Sequence, residues 1–313
     1  MSETVIEHVL GRLKSIGIDH VFGVPGDYAF PVEDAIVNFR GIEWVGCCNE
    51  LNAAYAADRY ARIHNVAAVN TTYGVGELSA INAIAGAYAE HLPVFHLVGM
   101  PNMTIQAGHA LVHHTLGNGE FDLFRKMAEP ALCASAIMTS QNVAYETERW
   151  IAEAMYHRRV YMSFPGDLAD QMVVSSAWPL DAPNSDPKIL QSVTDAIIVA
   201  LEGARTACIL PGVLAVRAGL RNALQSFVDT CGLPFATMIM DKSVLEEQHP
   251  SYIGIYDGKL MDESVRAFVE SSGFVLIIGA MMTDTSTGGF TAHLDVEKTI
   301  SHKLDQKSIE MSK

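Results

Sequence analysis

Six short apolar runs in the first half of the chain, at residues 20–24, 42–46, 66–72, 93–99, 133–139 and 160–164, each end at a polar or glycine-bearing loop. Helical stretches lie between most of them, beginning with an amphipathic one at 4–16 whose Val5, Ile6, Val9, Leu10, Leu13 and Ile16 share a face. Runs this short and this apolar predict strands buried on both faces, which is the signature of a mostly parallel sheet covered by helices on either side. The rhythm stops at 175–188, where Pro179, Pro183 and Pro187 stand among Ser and Asp residues, a linker composition. It then resumes: helix 190–201, strand 207–210, helix 216–230, strand 235–239, helix 261–271, strand 274–279. The predicted fold class is α/β, with two doubly wound, mostly parallel sheet domains. The boundaries are 1–174, a linker at 175–188, a smaller second domain at 189–300 and a polar tail at 301–313.

Composition agrees with two well-buried domains: of 313 residues, 49% are hydrophobic and 18% charged. A net charge of -15 with no basic stripe argues against nucleic acid and against an anionic membrane surface as partners. The chain has no signal-peptide core and no apolar run of membrane-spanning length. Its five cysteines (Cys47, Cys48, Cys133, Cys208 and Cys231) show no CxxC or metal-ligand spacing. Four of them lie in or beside predicted strands as small buried hydrophobes, and a reducing, cytoplasmic home follows.

The chemistry-bearing residues fall just after the strands. In an open parallel sheet that carboxyl edge is where ligands bind. Glu50 begins the helix predicted at 51–63, whose inner face would carry Leu51, Ala54, Tyr55 and Ala61. On position alone Glu50 is equally a helix-start carboxylate favoured by the dipole. Asp27 closes the first strand, as a turn former, an N-cap or a functional acid. Gly74 and Gly76 give a G-x-G at a strand-to-helix junction. The third glycine of a dinucleotide fingerprint is replaced by Ser79, so these glycines read as room for close approach of a flat ligand. His113 and His114 sit in a Gly/Asn-rich loop that also holds Gln106, Gly108 and His109. Metal binding would need further ligands than this loop supplies, which leaves a proton-handling pair or a polar loop.

Five stretches taken together resemble the thiamine-diphosphate-dependent 2-oxo acid decarboxylases, the pyruvate decarboxylase and indolepyruvate decarboxylase group. They are Gly23-Val24-Pro25-Gly26-Asp27, Asn49-Glu50-Leu51-Asn52-Ala53-Ala54-Tyr55-Ala56-Ala57-Asp58, Thr71-Thr72-Tyr73-Gly74-Val75-Gly76-Glu77-Leu78-Ser79-Ala80, His113-His114-Thr115-Leu116-Gly117-Asn118-Gly119 and Glu247-Gln248-His249-Pro250. The His-His-Thr-Leu-Gly stretch is the most specific of them. The resemblance implies a pyrimidine-binding domain followed by a Rossmann-like central domain. It also implies non-oxidative decarboxylation of pyruvate or an aryl-pyruvate to an aldehyde and CO2, with thiamine diphosphate and Mg2+ as cofactors.

By the same resemblance Glu50 partners the pyrimidine N1′, and Thr72 and the Gly74 backbone line the pyrimidine and substrate side. Asp27 and His114 form a proton relay that His113 orients. No metal ligand is expected within this chain. The Mg2+ ligands belong to a third, diphosphate-gripping domain whose Gly-Asp-Gly signature is absent here. The implied partners are a small 2-oxo acid and a second copy of the chain, as dimer or dimer of dimers, or a chain supplying the diphosphate domain. A non-catalytic hetero-oligomer partner of a full-length homologue is the alternative reading; a nicotinamide oxidoreductase rests on topology alone. The second domain departs from the family at Asp241, where Gly is usual, and at Thr283-Asp284-Thr285-Ser286, where Phe-Asn is usual.

Overall fold

The structure is a computed structural model and describes residues 3–156, 159–174, 176, 185–302 and 309–310. It divides into two compact units, Met1–Ala182 and Pro183–Lys313. Among the described residues no helix is long and apolar enough to cross a membrane.

The first unit runs α1 (Val5–Ser15), β1 (His20–Gly23), α2 (Phe30–Asn38), β2 (Glu43–Gly46), α3 (Glu50–His64), β3 (Ala67–Thr71) and α4 (Val75–Ala89). It continues with β4 (Val94–Met100), α5 (Met103–Ala107), α6 (Leu123–Ala128), β5 (Ala134–Ile137), α7 (Val143–Tyr156), β6 (Arg159–Pro165) and α8 (Gly166–Ala169). All six strands are parallel, in the order β2-β1-β3-β4-β6-β5. Successive strand residues serve opposite cores. Val21 and Ala68 join α1, α2 and α7 on one face, while Phe22, Ala67 and Val69 join α3 and α4 on the other. The amphipathic period of α1 buries Val5, Ile6, Val9, Leu10 and Leu13, and a capping box between Thr4 and Glu7 starts the helix. α3 and α4 pack through small side chains, Ala53, Ala57 and Ala61 against Ala80, Ala83 and Ala87.

That packing corrects the face expected for α3. Its buried stripe is Ala53, Ala54, Ala57 and Ala61, while Leu51 and Tyr55 point outward at 37% and 45% exposure. With alanine on every side, helical period alone does not choose the stripe; the small residues of α4 do. The cysteine reading is also corrected in part. All five are free, but only Cys208 is buried, and Cys48 and Cys231 are exposed.

The second unit comprises α9 (Pro187–Gly203), β7 (Ala207–Pro211), α10 (Val213–Arg217), α11 (Arg221–Cys231), β8 (Phe235–Thr237), β9 (Tyr252–Ile255), α12 (Glu263–Ser271), β10 (Phe274–Ile278), β11 (Thr299–His302) and β12 (Ile309–Glu310). Its sheet order is β12-β11-β10-β7-β8-β9, parallel except for β12. Most of the expected linker, residue 175 and residues 177–184, lies outside the described residues; Pro187 already opens α9 behind an Asp186 N-cap. The single helix expected at 216–230 is two, parted where Gly219 adopts φ +74°. The polar stretch read as a tail contributes β11 and β12, although residues 303–308 and 311–313 lie outside the described residues.

Candidate active site

The first sheet reverses direction between β1 and β3. The chain leaves β1 toward β2 on one side and returns to β3 on the other, which makes a switch point of the kind at whose carboxyl ends ligands bind in open parallel sheets. The residues singled out from the sequence stand around that point. Asp27 opens a 3-10 turn after β1, Glu50 opens α3 after β2, Thr72 and Gly74 form the turn after β3, and the histidine pair lies in the long loop after β4.

Asp27, His113 and His114 form one cluster, with ligating atoms all within 4.8 Å of one another. His113 Nε2 lies 2.7 Å from Asp27 Oδ2, and its Nδ1 lies 3.2 Å from the Tyr28 hydroxyl. Tyr28 also stacks on His113 at a centroid distance of 4.8 Å. An ionised carboxylate only accepts, so His113 Nε2–H donates to Asp27, and in the neutral imidazole this leaves Nδ1 to accept from the Tyr28 hydroxyl. The pair is half-exposed, with side chains 57% and 44% accessible. A hydrogen-bonded pair so wet adds at most about 1 kcal/mol to stability, so its position matters more for chemistry than for holding the fold.

His114 crosses His113 edge-on at 4.6 Å. Its backbone has φ +59°, a left-handed conformation rare for a side chain with Cβ, of the kind that surrounding structure must impose. The constraint comes from β3. A Cβ on Gly74, itself at φ +70°, would stand 2.1 Å from the His114 carbonyl oxygen, so only glycine lets the histidine loop rest there. The loop is pinned on its far side as well. The Tyr73 hydroxyl donates to the Phe121 carbonyl at 3.1 Å, and Tyr73, Met100, Phe121 and Phe124 form a small apolar cluster beneath it.

Glu50 reaches the same region from α3. Asn49 caps that helix by accepting the Asn52 N–H at 2.9 Å, which fixes Glu50 in the first turn, half-buried. A Cβ on Gly76 would lie 3.3 Å from Glu50 Oε1 and 3.0 Å from Thr72 Cγ2, and a Cβ on Gly26 would lie 2.4 Å from Thr72 Cβ. A continuous chain of contacts therefore links Asp27's turn, Thr72, Gly76 and the Glu50 carboxylate. Thr72 Oγ1 and His114 Nδ1 are buried and have no hydrogen-bond partner among the described residues. Two orphaned polar atoms beside a glycine-lined crevice fit a flat, polar ligand.

Three residues of this region had no place in the sequence reading. Tyr28 directly follows Asp27. Glu77 accepts the Gly74 N–H at 2.8 Å, and Glu33 accepts the Gly26 N–H at 3.1 Å. Glu77 carries a signal, the three-residue spacing of a capping box behind Gly74. Glu33 carries none, because its partner is reached through the turn rather than along its own helix.

Residues 3–121 match the thiamine pyrophosphate enzyme N-terminal TPP binding domain, and residues 194–313 match the thiamine pyrophosphate enzyme central domain. Similar proteins include an alpha-keto-acid decarboxylase of Mycobacterium leprae, 37% identical over 98% of this chain and 54% of that protein. Pyruvate decarboxylase isozyme 3 of Saccharomyces cerevisiae is 37% identical, and a pyruvate decarboxylase of Kluyveromyces marxianus is 39% identical, each over 97% of this chain and 55% of that protein. The chain thus spans about half the length of the curated relatives it matches. Two consecutive domain matches, and alignment of nearly the whole chain to these relatives, show that the chain belongs to the thiamine pyrophosphate enzymes and carries their N-terminal and central domains.

Proposed function

We propose that this chain forms the aminopyrimidine side of a decarboxylase site, acting on pyruvate or an aryl-pyruvate such as indolepyruvate and releasing an aldehyde and CO2. The observation that carries the reading is the convergence of Asp27, His113 and His114 within 4.8 Å, beside the crevice that Thr72, Gly76 and Glu50 share. The partnerless Thr72 hydroxyl and His114 nitrogen, and the glycines that keep side chains out of the crevice, suit the ring of thiamine diphosphate. When bound, that cofactor supplies the electron sink for the departing carboxylate.

The remaining chemistry falls to the chain's own groups. Glu50 would hold a proton at the pyrimidine N1′, and Thr72 with the Gly74 backbone would keep the ring in place. Asp27 and His114 deliver a proton to the substrate carbon that CO2 has left, with His113 orienting Asp27 and Tyr28 fixing the His113 tautomer. Leu51, Tyr55 and Val75, exposed at 37%, 45% and 51% near Glu50, support a site completed by another subunit. A cytoplasmic location is part of the same proposal, supported by the five free cysteines.

The test is complementation. The chain is mixed with a diphosphate-binding domain, thiamine diphosphate, Mg2+ and pyruvate, and aldehyde is followed. The reading expects aldehyde with the wild-type chain and a loss of at least about a hundredfold with Glu50→Gln. Equal rates for both would refute it.

A further inference from the structure

Two carboxyl groups of the first unit are buried where burial is costly, and each ends on the amide of a glycine that opens a functional turn. Glu33, on α2, is 7% exposed and accepts the Gly26 N–H. Gly26 caps the 3-10 turn that presents Asp27 and accepts the Ala29 N–H at 2.8 Å. Glu77, on α4, is 3% exposed; its Oε1 accepts the Gly74 N–H, and its Oε2 accepts the Tyr161 hydroxyl. Gly74 is the residue on which the His114 carbonyl rests. We infer that Glu33 and Glu77 are positioning residues, which grip the Gly26 and Gly74 amides and so set where Asp27 and His114 stand relative to each other.

The two grips are mechanically joined, because Gly26 abuts Thr72, two residues before Gly74. An apolar side chain at either position would fill the space without the cost of burying a carboxyl. That cost is visible, since burial pushes both groups up to about 7. A group kept at such cost acts through its acceptor oxygen, and here that oxygen holds a backbone amide. Tyr161 in turn is fully buried and edge-on to His96 at 5.4 Å, and His96 Nε2 lies 2.9 Å from Thr71 Oγ1. Glu77 is thus braced from β6 and β4 while it holds the end of β3.

The consequence for turnover rests on the proposed role of Asp27 and His114, but the grip itself does not, and the experiment separates them. Exchange of the Gly26 and Gly74 amides with solvent is measured by NMR on this chain without cofactor. Glu77→Met removes the acceptor and Glu77→Gln retains it; Glu33→Met and Glu33→Gln do the same for Gly26. Each Met variant should exchange its own glycine amide at least about tenfold faster, shift the ring resonances of His114 (Glu77→Met) or His113 (Glu33→Met), and be rescued by Gln to within about twofold. Two results overturn the inference: Met variants with wild-type exchange and ring resonances, or Gln variants as fast as Met. If Glu77→Met does not fold, the Glu33 pair decides on the same criteria. In the complemented enzyme, the Met variants should lower kcat about tenfold at unchanged KM. Accelerated exchange with unchanged kcat would leave the grip standing and count against the relay reading instead.

Discussion

The two units solve the same architecture in opposite ways at the same place. Each is a mainly parallel sheet whose strand order reverses near its middle, between β1 and β3 in the first unit and between β7 and β10 in the second. In the first, Gly26 of one loop abuts Thr72 of the other, and Asp27, His113 and His114 gather at that edge, with the Thr72 hydroxyl left without a hydrogen-bond partner among the described residues. In the second, the edge is stitched shut. The Gly212 N–H donates to the Ile278 carbonyl at 2.8 Å, the Leu214 N–H to Gly279 at 3.0 Å, and the Val213 N–H to the Asp241 carboxylate at 2.7 Å. A Cβ on Gly212 would stand 2.0 Å from the Ala280 nitrogen. The amides that would greet an anion at such an edge are already satisfied. Topology marks a switch point in both units, and the residues their loops carry decide what each can do.

The sharpest way to break this contrast is to add one methyl group to each edge. Gly74→Ala sets a left-handed backbone against a carbonyl oxygen, and Gly212→Ala sets a Cβ into β10's following loop. Each should cost on the order of 3 kcal/mol. Site-resolved hydrogen exchange should show the loss confined to the mutated unit, with the histidine loop displaced by Gly74→Ala and untouched by Gly212→Ala. Displacement by both would mean that the two edges are not separate devices.

Titration gives a smaller effect with a definite sign. Burial raises the Glu77 carboxyl from 4.5 to about 7, so its contribution is complete below about pH 4.5 and is lost as pH rises through about 7. His96 works the other way. Burial pushes it from 6.5 down to about 3, so its contribution is complete above about pH 6.5 and is lost as pH falls through about 3. Glu33, which burial also raises from 4.5 to about 7, joins Glu77, so between pH 4.5 and 6.5 two carboxyl contributions oppose one from His96 and the first unit's stability falls by roughly 3 kcal/mol. Glu77→Gln should leave Glu33 and His96 to offset each other and flatten that fall. The second unit carries Asp241, which burial raises from 3.8 to about 6, so its stability should fall by roughly 3 kcal/mol as pH rises from about 3.8 through about 6. Asp241→Asn should flatten that fall; denaturant titrations at several pH values read both.

The smallest effect tests whether the units are otherwise alike. Thr4→Ala removes the cap of α1, and Asp262→Ala removes the cap of α12, whose carboxylate accepts the Ser264 and Val265 amides at 2.7 and 3.2 Å. Each should cost about 1 kcal/mol in its own unit, measured by the same titrations.

Much of the fold was legible because it is written locally. Apolar runs mark the inner strands, and the apolar period of α1 names its core. What was not legible depends on partners far along the chain. The 2.7 Å contact between Asp27 and His113 spans 86 residues and was reached only through family resemblance, since neither residue's neighbours point to it. β9 escaped because it is four residues long and turns through Gly254 at φ +121°. β12 escaped because a two-residue strand at the sheet's edge needs no apolar run, and β11 because Ile300 is the only apolar residue among its four. Glu33 and Glu77 look like ordinary helix carboxylates until the turns they hold are folded against them.

The central claim is that the open edge of the first unit receives the aminopyrimidine ring while the second edge receives nothing. The direct measurement is an NMR titration of the isotope-labelled chain with thiamine diphosphate and Mg2+, read amide by amide. Shifts concentrated at Glu50, Thr72, Gly74 and Gly76, and weakened by Glu50→Gln, are the predicted result. Shifts gathered around Gly212, Val213 and Gly279, or shifts indifferent to Glu50→Gln, would contradict it.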